Sequence, residues 1–144
     1  MTTMVVDLVS SEEQIFSGEV EYLVAPGYEG EIGVFPHHIQ LINSLKPGVL
    51  RLKLPNQEFH LVFAISGGFL EVQSNKATIL ADVVERSDDL DEAKLIEQRR
   101  LAEERLKNSG ASMGEDDAKA YAALELIIAQ LKAVEYSHKQ SRRS

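Results

Sequence analysis

At 144 residues and 44% hydrophobic content, the chain can bury a real core, either as one domain or as a small domain with an appendage. Its formal charge of -8, with no basic stripe to offset it, excludes nucleic acid as a natural partner, because phosphates reward lysine and arginine. With no cysteine there are no disulfides, no thiolate catalysis and no cysteine-ligated zinc, which fits a reducing, cytosolic compartment.

The first residues, Met1-Thr2-Thr3-Met4-Val5-Val6-Asp7, show neither a basic n-region nor a long apolar segment, and nowhere do apolar residues run far enough to cross a bilayer. Tryptophan is absent and aromatics make up only 6% of the chain, so a lipid-binding surface is also a poor fit. Membrane association is expected only through partner proteins.

From Val5 to about Arg86 the hydrophobic period is two. Val20, Tyr22 and Val24 share one face against Glu19 and Glu21. Leu50, Leu52 and Leu54 alternate with Arg51 and Lys53, and Phe59, Leu61, Phe63 and Ile65 with His60, Val62 and Ala64. These read as half-buried strands, and Ala77, Ile79, Ala81 and Val83 form the last of them. Turns are expected at Ser17-Gly18, Pro26-Gly27, Pro55-Asn56-Gln57 and Ser74-Asn75-Lys76. Between Gly27 and Leu50, four glycines and two prolines punctuate two apolar runs. That stretch reads as strand, sharp loop, strand, with close backbone approach at Gly30 and Gly33. Short strands at this spacing, with no helical pattern among them, predict an antiparallel sandwich or barrel.

The pattern changes at Glu85-Arg86-Ser87-Asp88-Asp89. Ser87, Asp88 and Asp89 start helices, and Asp91 and Glu92 complement the positive end of a helix running to about Asn108. Leu95, Ala102 and Leu106, with Ile96 beside them, give it a narrow apolar stripe. Residues 108–114, which include Gly110 and Gly114, read as a loop. A second helix begins near Glu115, carries Ala118, Tyr121, Leu124, Ile128 and Leu131 at helical spacing, and fades near His138 into a basic end. The two helices are expected to pair antiparallel. Alanines at 118, 120, 122, 123, 129 and 133 favour helix while offering little side chain to bury, so the second helix should be lightly anchored. The fold class is therefore α+β, with an antiparallel β-sandwich over residues 1–86 and an antiparallel two-helix hairpin over residues 87–144. The first part holds 11 acidic and 5 basic residues, the second 12 and 10.

None of the polar clusters reads as a catalytic or metal site. His37 and His38 are sequence neighbours, which from a strand would point to opposite faces and could not share one metal. Glu29 and Glu31 could share a strand face, but no nucleophile or second catalytic group accompanies them. Ser66-Gly67-Gly68 lacks the Gly-Lys-Ser/Thr end of a phosphate loop and precedes a strand, so a bulge or close backbone crossing is the better reading. Arg99, Arg100 and Arg105 are placed to pair with Glu103, Glu104 or their neighbours along one helix.

Four blocks occur in order: Glu29-Gly30-Glu31-Ile32-Gly33-Val34-Phe35-Pro36-x-His38 followed by Lys46-Pro47-Gly48, then Ser66-Gly67-Gly68-Phe69-Leu70-Glu71-Val72, Ala81-Asp82 and Leu90-Asp91-Glu92-Ala93. Together they span nearly the whole chain, and the chain resembles the epsilon subunits of bacterial F-type ATP synthases. The resemblance implies a non-catalytic rotor subunit without a cofactor. Its sandwich would be fixed to the gamma subunit and stand on the membrane c-ring, at the cytoplasmic side of the bacterial inner membrane. Glu29, Gly30, Glu31, Gly33 and His38 would lie at that interface, the 29–33 block towards the ring and His38 towards gamma. The helical tail would switch between a folded form and one extended into the alpha/beta catalytic head that inhibits ATP hydrolysis, with Arg99, Arg100, Lys132, Lys139, Arg142 and Arg143 as its basic contacts. Some members also hold ATP through a motif of Ile or Leu, Asp, two residues, Arg and Ala. Here Lys94 and Leu95 replace the Arg and Ala, so Asp91 and Lys94 would give at most a weak nucleotide contact, lysine being a poorer planar fork. The alternative from another class is a free-standing sandwich adaptor or ligand-binding module capped by its helices.

Overall fold

The computed structural model describes residues 2–108 and 115–142. Its ten strands are β1 (Met4–Val9), β2 (Gln14–Val20), β3 (Tyr22–Gly27), β4 (Gly30–Val34), β5 (Leu41–Leu45), β6 (Gly48–Lys53), β7 (His60–Ile65), β8 (Gly68–Gln73), β9 (Lys76–Leu80) and β10 (Val84–Arg86). A 3-10 turn, Ser87–Asp89, leads into helices α1 (Glu92–Asn108) and α2 (Glu115–Arg142). The α+β class expected from periodicity is what forms.

Strands β10-β7-β6-β3-β4 make one layer and β5-β8-β9-β1-β2 the other, joined at a corner where Gly27 of β3 pairs with Leu45 of β5. Inward residues of both layers meet in one core that includes Leu8, Leu23, Leu50, Leu52, Ile65, Leu70 and Ile79. Every buried member of that core lies between Met4 and Ala81, so the principal core is complete within the strands. The pairing is antiparallel except between β1 and β9, which run parallel because the chain's first strand inserts beside its ninth.

Several local expectations are corrected. Glu21 forms a bend between β2 and β3, and the alternation changes phase across it. Val20, Leu23 and Ala25 are buried, while Tyr22 and Val24 turn to the opposite face and are half-buried. Ser17 and Gly18 lie inside β2 opposite Asp7 and Val6. The turn sits earlier, where the Ser10 hydroxyl accepts the Glu12 and Glu13 amides. Strand β7 is buried on both faces rather than one, with Phe63 and Ile65 in the core and Val62 and Ala64 beneath α2. Phe59 precedes that strand and is exposed. The short strand β10, paired with β7, follows the strand that was expected to be last.

The glycines of the 27–50 stretch act differently from expectation. A Cβ on Gly30 would meet nothing within 4 Å, and one on Gly33 would meet only the Phe35 ring at 3.7 Å. What Gly30 supplies is a backbone φ of 122° as the chain enters β4. Close approach falls instead at Gly27, where a side chain would collide with Ile32 and the Gly30 carbonyl, at Gly48, where it would collide with Pro26, and at Gly68, where it would run into the Leu80 carbonyl, as expected of the Ser66-Gly67-Gly68 crossing.

Strand β1 is pinned on both sides through Asp7, which accepts the Ser17 hydroxyl at 2.7 Å and pairs with Lys76 at 2.9 Å. The Ser17 hydrogen bond first, then Lys76, hold the Asp7 carboxyl below the usual carboxylate range.

Two outcomes are expected. Gly68→Ala combines positive φ with a backbone collision and should lower stability in urea titrations by about 3 kcal/mol or more, whereas Gly30→Ala, strained but unobstructed, should cost about 1–2 kcal/mol. Because the folded pKa of Asp7 is depressed, its contribution is present above the unfolded value of about 4 and is lost as pH falls through the folded one. Asp7→Asn should therefore flatten the acid limb of the urea midpoint below about pH 4, by under about 1 kcal/mol given its solvent contact.

Candidate functional interface

The β3–β4 hairpin forms an edge of the first layer, since β4 pairs only with β3. Glu29 lies in its turn and Glu31 on β4, so the two carboxylates do not share a strand face as expected. Gly30, Glu31 and Gly33 are exposed along this edge. The His37-His38 pair lies in the following loop rather than in a strand. His37 adopts φ 64°, its amide donates to Asn75 Oδ1 at 2.8 Å, and His38 Nδ1 donates to the Ile39 carbonyl at 2.8 Å. Among the described residues no cluster of His, Asp or Glu could hold a metal ion.

Beside the hairpin lies an apolar surface that the sequence reading passed over. Ile42 on β5, Phe69 on β8 and Leu80 on β9 point outward from the second layer, with Phe69 facing both Ser44 and Leu80 across the strands. Tyr28, Phe35 and Ile39 are exposed in the neighbouring turns, and Ile39 and Ile42 are 79% and 78% accessible. A signal was present: Leu41-Ile42, Phe69-Leu70 and Ile79-Leu80 each set an apolar residue where period two calls for a polar one. Outward-facing isoleucine and phenylalanine on a rigid sheet suit contact with another protein.

On the other side of the first layer, α2 covers β6 and β7. Its deepest residues are Ala129 and Ala133, and Ala133 packs with Val62 and Ala64 in a small cluster that Val49 and Tyr136 border. Ala118 and Tyr121, expected on the buried stripe, are exposed, because the seated face is the one centred on the later alanines. Val134 is buried as well, and Leu126, Ile127, Ile128, Leu131 and Tyr136 are half-buried along the helix. The two alanine methyls contribute only on the order of 1–2 kcal/mol, and polar ties add to the contact. Gln130 Nε2 donates to Glu85 Oε2 at 2.9 Å, and the Ser87 hydroxyl donates to Ser137 Oγ at 3.3 Å. Helix α2 also continues past His138, where the sequence suggested fading, because Gln140 docks on His60. Gln140 Oε1 accepts the His60 amide at 2.7 Å and lies 3.0 Å from His60 Nδ1, while His60 Nε2 accepts the Tyr22 hydroxyl at 2.8 Å. The Nδ1–H tautomer satisfies all three.

Helix α1 packs on α2. Asp91 caps it, Oδ1 accepting the Lys94 amide at 3.2 Å. Leu95 is buried as expected, whereas Ile96 is exposed. Arg99 pairs with Glu103 at 2.7 Å, and Arg100 spans Glu97 at 2.7 Å and Glu104 at 3.0 Å. Arg100 holds the Glu97 carboxyl below its usual range. Lys139 pairs with Glu135 at 3.2 Å, and Arg142 sits exposed in the last turn. Lys132 lines a cleft of about 430 Å³ together with Glu31, Lys46, Pro47 and Glu125. Arg143 and the expected loop at Gly110 and Gly114 lie outside the described residues.

The family model for the ATP synthase delta/epsilon chain β-sandwich domain matches residues 3–87. The ATP synthase epsilon chain of Chromobacterium violaceum is 49% identical over 141 residues, covering 98% of this chain and 99% of that one. This chain belongs to the ATP synthase epsilon family. The Laribacter hongkongensis epsilon chain is 46% identical over 136 residues, with 94% and 96% covered. In fold, the epsilon-family chain resembles one in the cryo-EM structure of the Euglena gracilis mitochondrial ATP synthase, OSCP/F1/c-ring in rotational state 1. The TM-score is 0.80 at 22% identity, with 93% of this chain and 82% of that one covered. A second resembles it in the Tetrahymena thermophila mitochondrial ATP synthase central stalk and c-ring, at TM-score 0.58 and 13% identity, covering 92% and 97%.

The thin seat of α2 has a measurable consequence. Ala133→Leu would overpack the contact with Val62 and Ala64 and should speed amide exchange in α2 by about ten- to a hundredfold, leaving the core strands protected as before.

Proposed function

We propose that this epsilon-family chain is a non-catalytic rotor subunit that joins the gamma subunit to the membrane c-ring of a bacterial ATP synthase, with a helical tail that restrains ATP hydrolysis. The observation that carries this reading is the kinship with epsilon chains over the full length, sandwich and helices together. Residues 1–86 are the foot. The edge from Glu29 through Gly30 and Glu31 to Gly33 meets the ring, and the surface of His38, Ile42, Phe69 and Leu80 meets gamma. The exposed apolar side chains support that assignment. The chain then sits peripherally on the cytoplasmic side of the membrane, held there by its partners; no helix among the described residues is long and apolar enough to cross.

Residues 87–144 are the regulatory part. The small alanine seat and its polar ties allow α2 to leave the sheet while the strand core stays intact. Once extended, its basic residues, among them Lys132, Lys139, Arg142 and Arg143, face the alpha/beta head, where their charge suits an acidic partner surface. Arg99, Arg100 and Lys139 can join only by exchanging the glutamates they already hold. ATP contact at Asp91 and Lys94 is weak, because Asp91 Oδ1 is engaged as the cap of α1.

Truncation after Arg86 should leave a folded sandwich that copurifies with gamma and the catalytic head, and should raise the ATPase rate of the assembled complex. An unchanged rate would remove the inhibitory role of the tail. Failure of the full chain to copurify would favour the free-standing adaptor.

A further inference from the structure

Arg51 occupies an unusual position between the edge hairpin and the tail. It projects from β6 on the face that α2 covers, with its side chain 20% accessible. Its Nη1 lies 3.4 Å from Glu31 Oε2 on β4, and its Cζ stands 4.7 Å from the ring centroid of Tyr136 on α2. Its Nε is buried and has no hydrogen-bond partner among the described residues. One guanidinium is therefore shared between a carboxylate at the exposed edge and an aromatic ring on the docked helix, and one of its donors is left unsatisfied.

We infer that Arg51 is a positioning residue that couples the state of Glu31 to the docking of α2, so that a partner engaging the Glu31 carboxylate loosens the tail. The physical reason is the change in surroundings when α2 seats. Tyr136 then shields the guanidinium from water, which strengthens its attraction to Glu31 and makes its charge costly without it. When α2 leaves, water reaches Arg51 and its Nε, and Glu31 matters little. Glu31 therefore favours the docked form, and by linkage docking of α2 holds Glu31 against Arg51 and away from an outside partner. Any partner group that takes the carboxylate as an acceptor, whether a cation or a hydrogen-bond donor, competes with Arg51. The inference deepens the proposed function and rests on the reading of α2 as a detachable helix.

The test uses the full chain alone and measures amide exchange in α2, with the core strands as an internal control. Glu31→Gln should raise the opening equilibrium of α2 by about two- to fivefold, the size of a half-exposed ion pair, and leave strand protection unchanged. In an Arg51→Met background the same Glu31→Gln change should have no further effect. Added salt should narrow the gap between the parent chain and Glu31→Gln. An α2 that opens yet ignores Glu31→Gln, or that responds equally with and without Arg51, would overturn the coupling alone. If α2 exchanges only through global unfolding in every variant, the detachable-helix reading fails, and the coupling fails with it.

Discussion

The seating of α2 on β6 and β7 is the contact on which the behaviour of the tail depends, and its composition is unusual for a helix on a sheet. Alanines at its centre let the helix backbone approach Val62 and Ala64 closely, yet they remove little apolar area from water. Around them the ties are amides, hydroxyls, an imidazole and a guanidinium: Gln130 to Glu85, Ser87 to Ser137, Gln140 to His60 and Arg51 against Tyr136. Water can replace most of these bonds, so each contributes modestly to the net. Close fit at the alanines with polar ties around them gives a defined docked geometry, and the proposed two-state behaviour requires that its free-energy advantage be small.

The sandwich is built the opposite way. Its core draws on both layers, its buried members all lie between Met4 and Ala81, and Gly68 lets the backbone cross under the Leu80 carbonyl where no other residue would fit. Val62 and Ala64 are the residues that would lose cover if α2 lifted, and they belong to the separate small cluster. The two parts are thus energetically divisible. Loss of the tail exposes a strip of β6 and β7 and leaves the buried residues of the larger core in place.

Much of this was legible in the sequence because period two and period 3.6 are strong signals, and the change near Arg86 coincides with the last strand and the start of the helical segment. Phase was less legible. The bend at Glu21 shifts Tyr22 and Val24 to the helix-covered face, and nothing in the local pattern separates a one-residue bend from a continuous strand. Burial of β7 on both faces also escaped, since its second face is covered by a helix some seventy residues away in sequence. The polar ties show the same limit: His60 and Gln140, or Arg51 and Tyr136, become a pair only through tertiary packing. At Gly30 and Gly33, composition invited a close-approach reading, whereas Gly30 answers to backbone φ and faces open surface.

The proposed detachment of the tail is useful only if the helix remains a rod when detached. Helices shorter than about 12–15 residues are marginal alone in water, and α2 has 28 residues with a run of alanines. At about 1.5 Å per residue it is roughly 42 Å long. Helix α1 is supported differently, by Arg99 with Glu103 and by Arg100 with Glu97 and Glu104, interactions internal to the helix that do not depend on the sheet. The same residues that look like a basic patch in sequence are therefore neutralised in place, and what they supply is helix rather than free positive charge. The alanines that weaken the seat and the ion pairs that occupy the arginines have a common effect. They place the helical stability of the tail within the tail, so that leaving the sheet costs a docking contact and not the helix itself.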